Sequence, residues 1–186
     1  MFSYRHAYHA GFHADVFKHL VLIHLIRALL QKDQPFFYMD THAGAGRYDL
    51  HSALASKNRE YESGIAKLWQ HRVSHEACTD YLAAVAAVNP AGGTRYYPGS
   101  PRIASHFLRP GDRMALCELH PRDVEILKAE FEGNTQVKVH ALDAYQSLKA
   151  MLPPQERRGL VFIDPTFELK DERRRLFEAM QEAYRR

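Results

Sequence analysis

Residues 36–48 read FFYMDTHAGAGRY, and the predicted fold is organised around them. An apolar, aromatic-rich run follows Pro35 and stops at Asp40, which is typical of a short buried strand. The chain then enters Gly44-Ala45-Gly46, where glycine allows a tight turn and lets a ligand lie against the backbone. A strand followed by Gly-x-Gly is how a doubly wound sheet presents its backbone to a ligand. Two glycines fit a plain turn equally well, so the choice between a plain turn and a ligand-binding turn depends on the rest of the sequence.

The composition is that of a globular protein in a reducing compartment. The chain has 186 residues, of which 46% are hydrophobic and 25% charged, and its formal charge is +3. These values suit a chain with one core and a weak preference for polyanions. Cys78 and Cys117 lack the spacing of a disulfide framework or a zinc site. A polar amino terminus and the lack of an apolar run of about 18 residues predict no signal peptide, no membrane span and a cytoplasmic location.

Helices and strands are predicted to alternate along the chain. Strands are expected at 113–119, 137–142 and 159–163, the last as an apolar run covered on both faces. Two helices at 61–71 and 76–88 follow the first strand, and another has Ser100 as its N-cap and Pro101 as its first residue. The pattern predicts an α/β doubly wound, Rossmann-like sheet of about four strands in the order 3-2-1-4. Residues 1–48 and 96–186 would form this domain, and residues 49–95 a helical insertion.

Two further helices carry apolar residues at helical spacing. The helix at residues 15–30 is expected to bury Val16, Phe17, Leu20, Val21, Ile23, Ile26, Leu29 and Leu30. The helix that starts at Asp171 is expected to have one apolar side, which contains Leu176, Phe177, Met180, Ala183 and Tyr184. Its many arginines fit a solvated face better than an RNA contact.

Each predicted strand ends in an acid: Asp40, Glu118, Asp143 and Asp164. Because the carboxyl ends of parallel strands meet at one crevice, the four should line one pocket. A single acid in such a position is usually a turn residue or a helix cap. Glu118 suits the two hydroxyls of a ribose, and Asp143 the amino group of adenine. The missing third glycine disfavours a pyrophosphate, so the pattern favours S-adenosylmethionine over the weaker alternative, an NAD-dependent oxidoreductase.

The segment Asp164-Pro165-Thr166-Phe167 carries the predicted chemistry. The amino group of adenine is a poor nucleophile because its lone pair is delocalised into the ring. The Asp164 carboxylate and the Pro165 carbonyl could accept its two hydrogens while the Phe167 ring stacks on the extruded base. These three residues are therefore the predicted catalytic residues for methyl transfer to an adenine amine.

Histidines at positions 6, 9, 13, 19 and 24 suggest a metal site at first sight. No carboxylate or cysteine joins them at a recurrent ligand spacing, so we predict no metal. Anion binding or simple packing is the favoured interpretation of these side chains.

Several motifs together extend along the whole chain. They are Ser3-Tyr4-Arg5-His6, His9-Ala10-Gly11, His13-Ala14-Asp15-Val16 with Lys18-His19, Asp40 to Tyr48, Tyr96-Tyr97-Pro98-Gly99-Ser100-Pro101, Glu118-Leu119-His120-Pro121 and Arg158-Gly159-Leu160. In these motifs the chain resembles the RlmJ-type 23S ribosomal RNA adenine-N6 methyltransferases, which are class I S-adenosylmethionine-dependent enzymes. The resemblance implies cofactor contacts from Lys18, His19, His42, Ser100, Glu118 and Asp143, joined by the Gly44 turn and Asp164. It also implies that Tyr4, Arg5 and His6 lie near the substrate and that Asp164 is catalytic.

The implied reaction is transfer of a methyl group from S-adenosylmethionine to the N6 of an adenine in 23S rRNA, with S-adenosylhomocysteine as product. The implied partner is naked or protein-poor rRNA. The protein is expected to be a monomer that does not bind a membrane. Some family members carry an older label that links them to the use of external DNA.

The chain differs from the family pattern in two respects. The family tetrad is similar to Asp-Pro-Pro-Tyr, whereas Thr166 here replaces the second proline and Phe167 lacks the hydroxyl. Family members also continue with about three further strands, so the chain is expected to be truncated and its sheet incomplete. The alternative is a catalytically impaired or truncated remnant that binds RNA or cofactor without turnover.

Overall fold

The computed structural model describes residues 6–71, 73–168 and 170–185. In chain order its helices and strands are α1 His13–Leu30, β1 Phe37–Asp40, β2 Arg47–Asp49, α2 Ala55–Asn58, α3 Ile65–His71, α4 Glu76–Ala87, β3 Tyr96–Pro98, α5 Ser100–His106, β4 Arg113–Cys117, α6 Pro121–Glu130, β5 Val137–His140, α7 Ala144–Met151, β6 Gly159–Phe162 and α8 Glu172–Tyr184. The chain forms two compact units. Among the described residues, the first contains 6–31, 45–71 and 73–108, and the second contains 32–44, 109–168 and 170–185.

The second unit is built on a parallel sheet in the order β5-β4-β1-β6. In strand β1, Asp40 lies opposite Leu116 of β4 and Phe162 of β6, so these three strands end at one level. One face of the sheet packs on α7 and α8 through Phe37, Met39, Ala115, Cys117, Tyr145, Leu148 and Ala179. This architecture confirms the predicted α/β doubly wound fold and its strand order 3-2-1-4.

The edge of this sheet is less covered than its centre. The expectation that the fourth strand is covered on both faces is wrong for β6, where Gly159 is exposed and the next three residues are only half-buried. Helix α8 packs on α7 around Leu176 and Ala179. Phe177 is 62% exposed and Tyr184 is 93% exposed, so the apolar side of α8 is not buried at these positions.

The first unit is helical, with one short antiparallel ribbon formed by β2 and β3. Helix α1 packs on α4 and α5, and it buries Leu22, Ile23 and Ile26. The expected stripe of α1 is wrong at Phe17 and Val21, which are exposed. Helices α3 and α4 confirm the two helices expected in the insertion. The predicted domain boundary at residues 49–95 stays a prediction, and α1 and α5 share a compact unit with that segment.

The start of α5 differs from its prediction. Ser100 is the first helical residue, and Gly99 is the N-cap without a side-chain cap. The amide of Gly99 donates to the carbonyl of Gly46 at 2.9 Å, and a Cβ on Gly99 would lie 3.2 Å from that oxygen. The close approach explains a glycine there, and the preceding residues Tyr96–Pro98 form β3.

Candidate functional site

The glycine turn after β1 is held by buried hydrogen bonds. The carboxylate of Asp40 is fully buried and accepts from the amide of His42 at 3.1 Å and from the hydroxyl of Tyr38 at 3.1 Å. The amide of Ala43 donates to the carbonyl of Cys117 at 3.0 Å, and Gly44 has a positive φ of 60°. Asp40 therefore acts as the turn residue that an acid at a strand end commonly is.

Glu118 lies directly after β4 and contacts this turn. Its Oε2 accepts from the amide of Gly44 at 2.7 Å, and its Oε1 accepts from the amide of His120 at 2.7 Å. Burial raises the pKa of Glu118 above its ordinary value, although these two N–H donors act in the opposite direction. A backbone hydrogen bond from Leu119 also acts to lower the pKa of Glu118. A carboxylate has about four lone-pair sites, so Glu118 can still accept a hydrogen bond from a ligand.

Asp143 caps helix α7. Its Oδ1 accepts from the amides of Tyr145 at 3.0 Å and Gln146 at 3.1 Å, and its Oδ2 accepts from Arg175 Nη2 of α8 at 3.0 Å. The hydroxyl of Tyr145 donates to the buried Glu172 at 2.6 Å. The side chain of Asp143 thus has the helix-cap role, and its expected contact with adenine stays a prediction.

His42 lies where the acids of this unit converge. Burial lowers the pKa of His42, while the negative charges of Asp164, Glu172 and Asp143 act against the shift. Its ring meets the Tyr145 ring edge to face, with centroids 6.3 Å apart. The predicted site residue His42 therefore lies within electrostatic range of two others, Asp143 and Asp164.

The segment Asp164 to Phe167 begins two residues after β6. Pro165 is buried, whereas Phe167 is 52% exposed and has a φ of +55°. A left-handed backbone is strained for an aromatic residue, and such strain is found most often at functional sites. The exposed Phe167 ring is available for stacking, as its predicted role requires.

The first unit holds a buried polar cluster of its own. The carboxylate of Asp15 is nearly inaccessible and accepts from His6 Nε2 at 2.9 Å, Lys18 Nζ at 2.8 Å and the amide of Gly11 at 3.2 Å. Burial alone would raise the pKa of Asp15, but its hydrogen bond and electrostatic interaction with His6 and the positive charge of Lys18 bring it well below its ordinary value. Asp15 therefore fixes Lys18 and His6, which are both predicted site residues.

His19 is buried next to this cluster. Its Nδ1 lies 2.8 Å from the hydroxyl of Tyr97, which also accepts from the hydroxyl of Tyr81 at 2.9 Å. Burial lowers the pKa of His19 to about 3, so the imidazole is neutral. Ser100, another predicted cofactor contact, is buried at the start of α5. Tyr4 and Arg5 lie outside the described residues.

Sequence reasoning missed Asp15, Tyr81 and Tyr97 in the first unit, and Glu172 in the second. Asp15 and Tyr97 belong to the sequence motifs quoted above, and their place in these motifs was the signal that could have identified them. Tyr81 and Glu172 lie on helices that have only a polar and apolar pattern, which does not reveal a buried polar contact. Among the described residues, no group of three or more His, Cys, Asp or Glu side chains could hold a metal ion. None of the helices in that part of the chain is both long and apolar enough to span a membrane.

A family model described as "Ribosomal RNA large subunit methyltransferase D, RlmJ" matches residues 33–186. The chain belongs to this RlmJ family. Two curated RlmJ relatives, both named ribosomal RNA large subunit methyltransferase J, cover the whole chain. The protein from Escherichia coli K12 is 47% identical over 186 residues, and that from Haemophilus influenzae Rd is 46% identical over 187 residues.

The RlmJ relatives are longer than this chain, which spans 66% of the length of each. A solved structure of protein LPL1258 from Legionella pneumophila, assigned to family DUF519, superposes with a TM-score of 0.86 at 40% identity. The likeness covers 94% of this chain and 64% of that protein. The fold predicted from the sequence is thus that of a solved relative.

Proposed function

We propose that this RlmJ family chain binds S-adenosylmethionine and that a methyl group is transferred from it to the N6 of an adenine in 23S rRNA. The observation that carries the proposal is the contact between Glu118 and the Gly44 turn at the carboxyl ends of β4 and β1. A carboxylate at this position of a doubly wound sheet is placed to receive ribose hydroxyls. The names of the RlmJ relatives support the same reaction class.

The donor set fits a nucleoside cofactor. The Glu118 carboxylate has about four lone-pair sites, so it can accept further hydrogen bonds besides those from the protein backbone, as the hydroxyls of a ribose require. The turn has glycines at 44 and 46 only, without the third glycine that favours a pyrophosphate. When bound, S-adenosylmethionine would supply a methyl on a sulfonium sulfur. Transfer of this methyl to adenine N6 would leave S-adenosylhomocysteine and one proton.

The chain's own residues would position the base and take up this proton. Asp164 would accept a hydrogen from the amino group, and the Pro165 carbonyl would accept the other, which directs the nitrogen lone pair toward the methyl. The exposed Phe167 ring would stack on the extruded adenine. Naked or protein-poor 23S rRNA as the substrate and a monomeric state are part of this proposal. The roles of Lys18, His19 and Ser100 in cofactor binding stay predictions.

Cofactor binding is tested by calorimetric titration of the 186-residue chain with S-adenosylhomocysteine. Glu118→Gln keeps the size of the side chain but turns an NH2 donor toward the Gly44 or His120 amide. We expect it to weaken binding by about tenfold or more. Glu125→Gln, on the exposed face of α6, is the matched control and should bind like the wild type. Equal affinities in the two variants would contradict the role of Glu118.

Turnover is tested with S-adenosylmethionine labelled in its methyl group and 23S rRNA that lacks the modification. We expect label in N6-methyladenosine, and a loss of about 100-fold or more in Asp164→Asn, as for removal of a group that handles the proton. Phe167→Tyr should retain activity and Phe167→Ala should lose it, because only the first keeps the stacking ring. Binding of S-adenosylhomocysteine without any transfer would favour the alternative of a remnant that binds without turnover.

A further inference from the structure

Three buried side chains of the first unit form a linear hydrogen-bonded series. Tyr81 of α4 donates its hydroxyl to the hydroxyl of Tyr97 on β3 at 2.9 Å. The hydroxyl of Tyr97 lies 2.8 Å from Nδ1 of His19 on α1, and the two rings stack with centroids 5.8 Å apart. Exposure is 0% for both tyrosines and 1% for His19, so water does not compete for these bonds.

The direction of these bonds fixes where the protons lie. Burial raises the pKa of both tyrosines above the ordinary value, so each hydroxyl keeps its single proton. Tyr97 receives the proton of Tyr81 on its oxygen, and its own proton therefore points to Nδ1 of His19. In the reverse direction the proton of Tyr81 would need another buried acceptor, and leaving a buried donor without one is costly.

A neutral imidazole carries one proton, so the nitrogen that accepts from Tyr97 cannot carry it. We propose that Tyr97, oriented by Tyr81, is a positioning residue that holds His19 as the tautomer with its proton on Nε2, making Nε2 a donor to an acceptor atom of the cofactor. The cofactor part of this inference rests on the proposed function. The tautomer part rests only on the contacts of His19, Tyr81 and Tyr97.

The tautomer is measured by nitrogen-15 NMR of the ring nitrogens in the histidine-labelled 186-residue chain near neutral pH. The His19 signals are identified as those missing from His19→Gln. We expect Nδ1 in the unprotonated range and Nε2 in the protonated range. A wild-type His19 with its proton on Nδ1, or on both nitrogens, overturns the inference whatever the chain binds.

Two tyrosine variants then test the hydrogen bonds of Tyr97 and Tyr81 separately. In Tyr97→Phe the donor to Nδ1 is lost, so we expect both His19 signals to move and S-adenosylhomocysteine to bind about tenfold more weakly. In Tyr81→Phe the Tyr97 hydroxyl can still donate to Nδ1, so we expect a smaller change in both readouts. Tyr38→Phe removes a buried hydroxyl of the second unit and should leave the His19 signals unchanged. Melting temperatures verify that the variants are folded.

The outcomes distinguish the inference from the proposed function. Failure of the wild-type chain to bind S-adenosylhomocysteine, with the expected tautomer present, overturns the cofactor role of Nε2 together with the proposed function. Wild-type binding with unmoved His19 signals in Tyr97→Phe overturns the positioning role alone. Moved signals with unchanged affinity show that the tautomer does not serve the cofactor, which also overturns the positioning role.

Discussion

The neutral state of His19 couples the stability of the fold to pH. The ordinary pKa of a histidine is 6.5, and burial lowers that of His19 to about 3, helped by the positive charge of Lys18 and opposed by Asp15. Between these values the unfolded chain binds a proton that the folded chain does not. Stability should therefore fall as the pH falls from 6.5 toward 3, by up to about 1.4 kcal/mol per pH unit. Urea unfolding measured at several pH values from about 7 to 4 gives this slope.

A pair of histidine variants isolates this effect. His19→Gln removes the titrating group, so its free energy of unfolding should change less steeply over the same pH range. His24→Gln is the matched control because His24 is an exposed histidine of the same helix. Asp15 contributes little to the slope above about pH 5, because its folded pKa is lowered and its stabilisation is lost only as the pH approaches and passes the ordinary value of 3.8. Parallel pH profiles of the wild type and His19→Gln would show that His19 is not the group responsible.

The amino end of helix α7 depends on one side chain. Asp143 accepts from two amides of the first turn, and it also pairs with Arg175. Asp143→Ala should lower the free energy of unfolding by about 1 kcal/mol, as for the loss of an N-cap. Asp143→Asn keeps a capping oxygen and loses the ion pair, so it should stay within about 0.5 kcal/mol of the wild type. Urea unfolding of the three chains measures both differences, and equal losses would mean that the ion pair, not the cap, matters.

Helical spacing predicts that a helix exists more reliably than which of its residues are buried. The spacing of apolar residues located α1 and α8 correctly, because amphipathic periodicity is a local property of the sequence. Burial depends on the neighbours that are present. Helix α8 contacts α7 through Leu176 and Ala179, so Phe177 and Tyr184 lie outside that contact.

The same limit applies to strands and to polar contacts. Strands β2 and β3 have three residues each and pair across 46 intervening residues, from 50 to 95, so no local pattern announces them. The placement of the acids at one edge of the sheet could be predicted from the sequence, because a parallel sheet aligns the carboxyl ends of its strands. The individual hydrogen bonds of Asp40 and Asp143 could not be predicted. The sequence indicated only that an acid at a strand end is commonly a turn residue or a helix cap.

The topology of the second unit depends on a strand from early in the chain. Strand β1 lies between β4 and β6 and pairs with both in parallel, although it precedes β4 by more than 70 residues. Parallel strands cannot be joined by a tight turn, so such non-local pairing is intrinsic to this sheet. Removing the segment 32–44 would leave β4 and β6 without the partner that joins them.

A fragment of residues 109–186 tests this dependence. It keeps β4, β5, β6 and the three helices α6 to α8, but it lacks β1 with its buried Phe37 and Met39. Burial of two such side chains contributes about 3–6 kcal/mol, which is a large part of the 5–15 kcal/mol typical of a whole domain. We therefore expect the fragment to show no cooperative urea transition by circular dichroism, whereas the full chain shows one. A cooperative transition and dispersed amide signals in the fragment would mean that β4 and β5 with their helices fold without the central strand, and that β1 only adds to a core already formed.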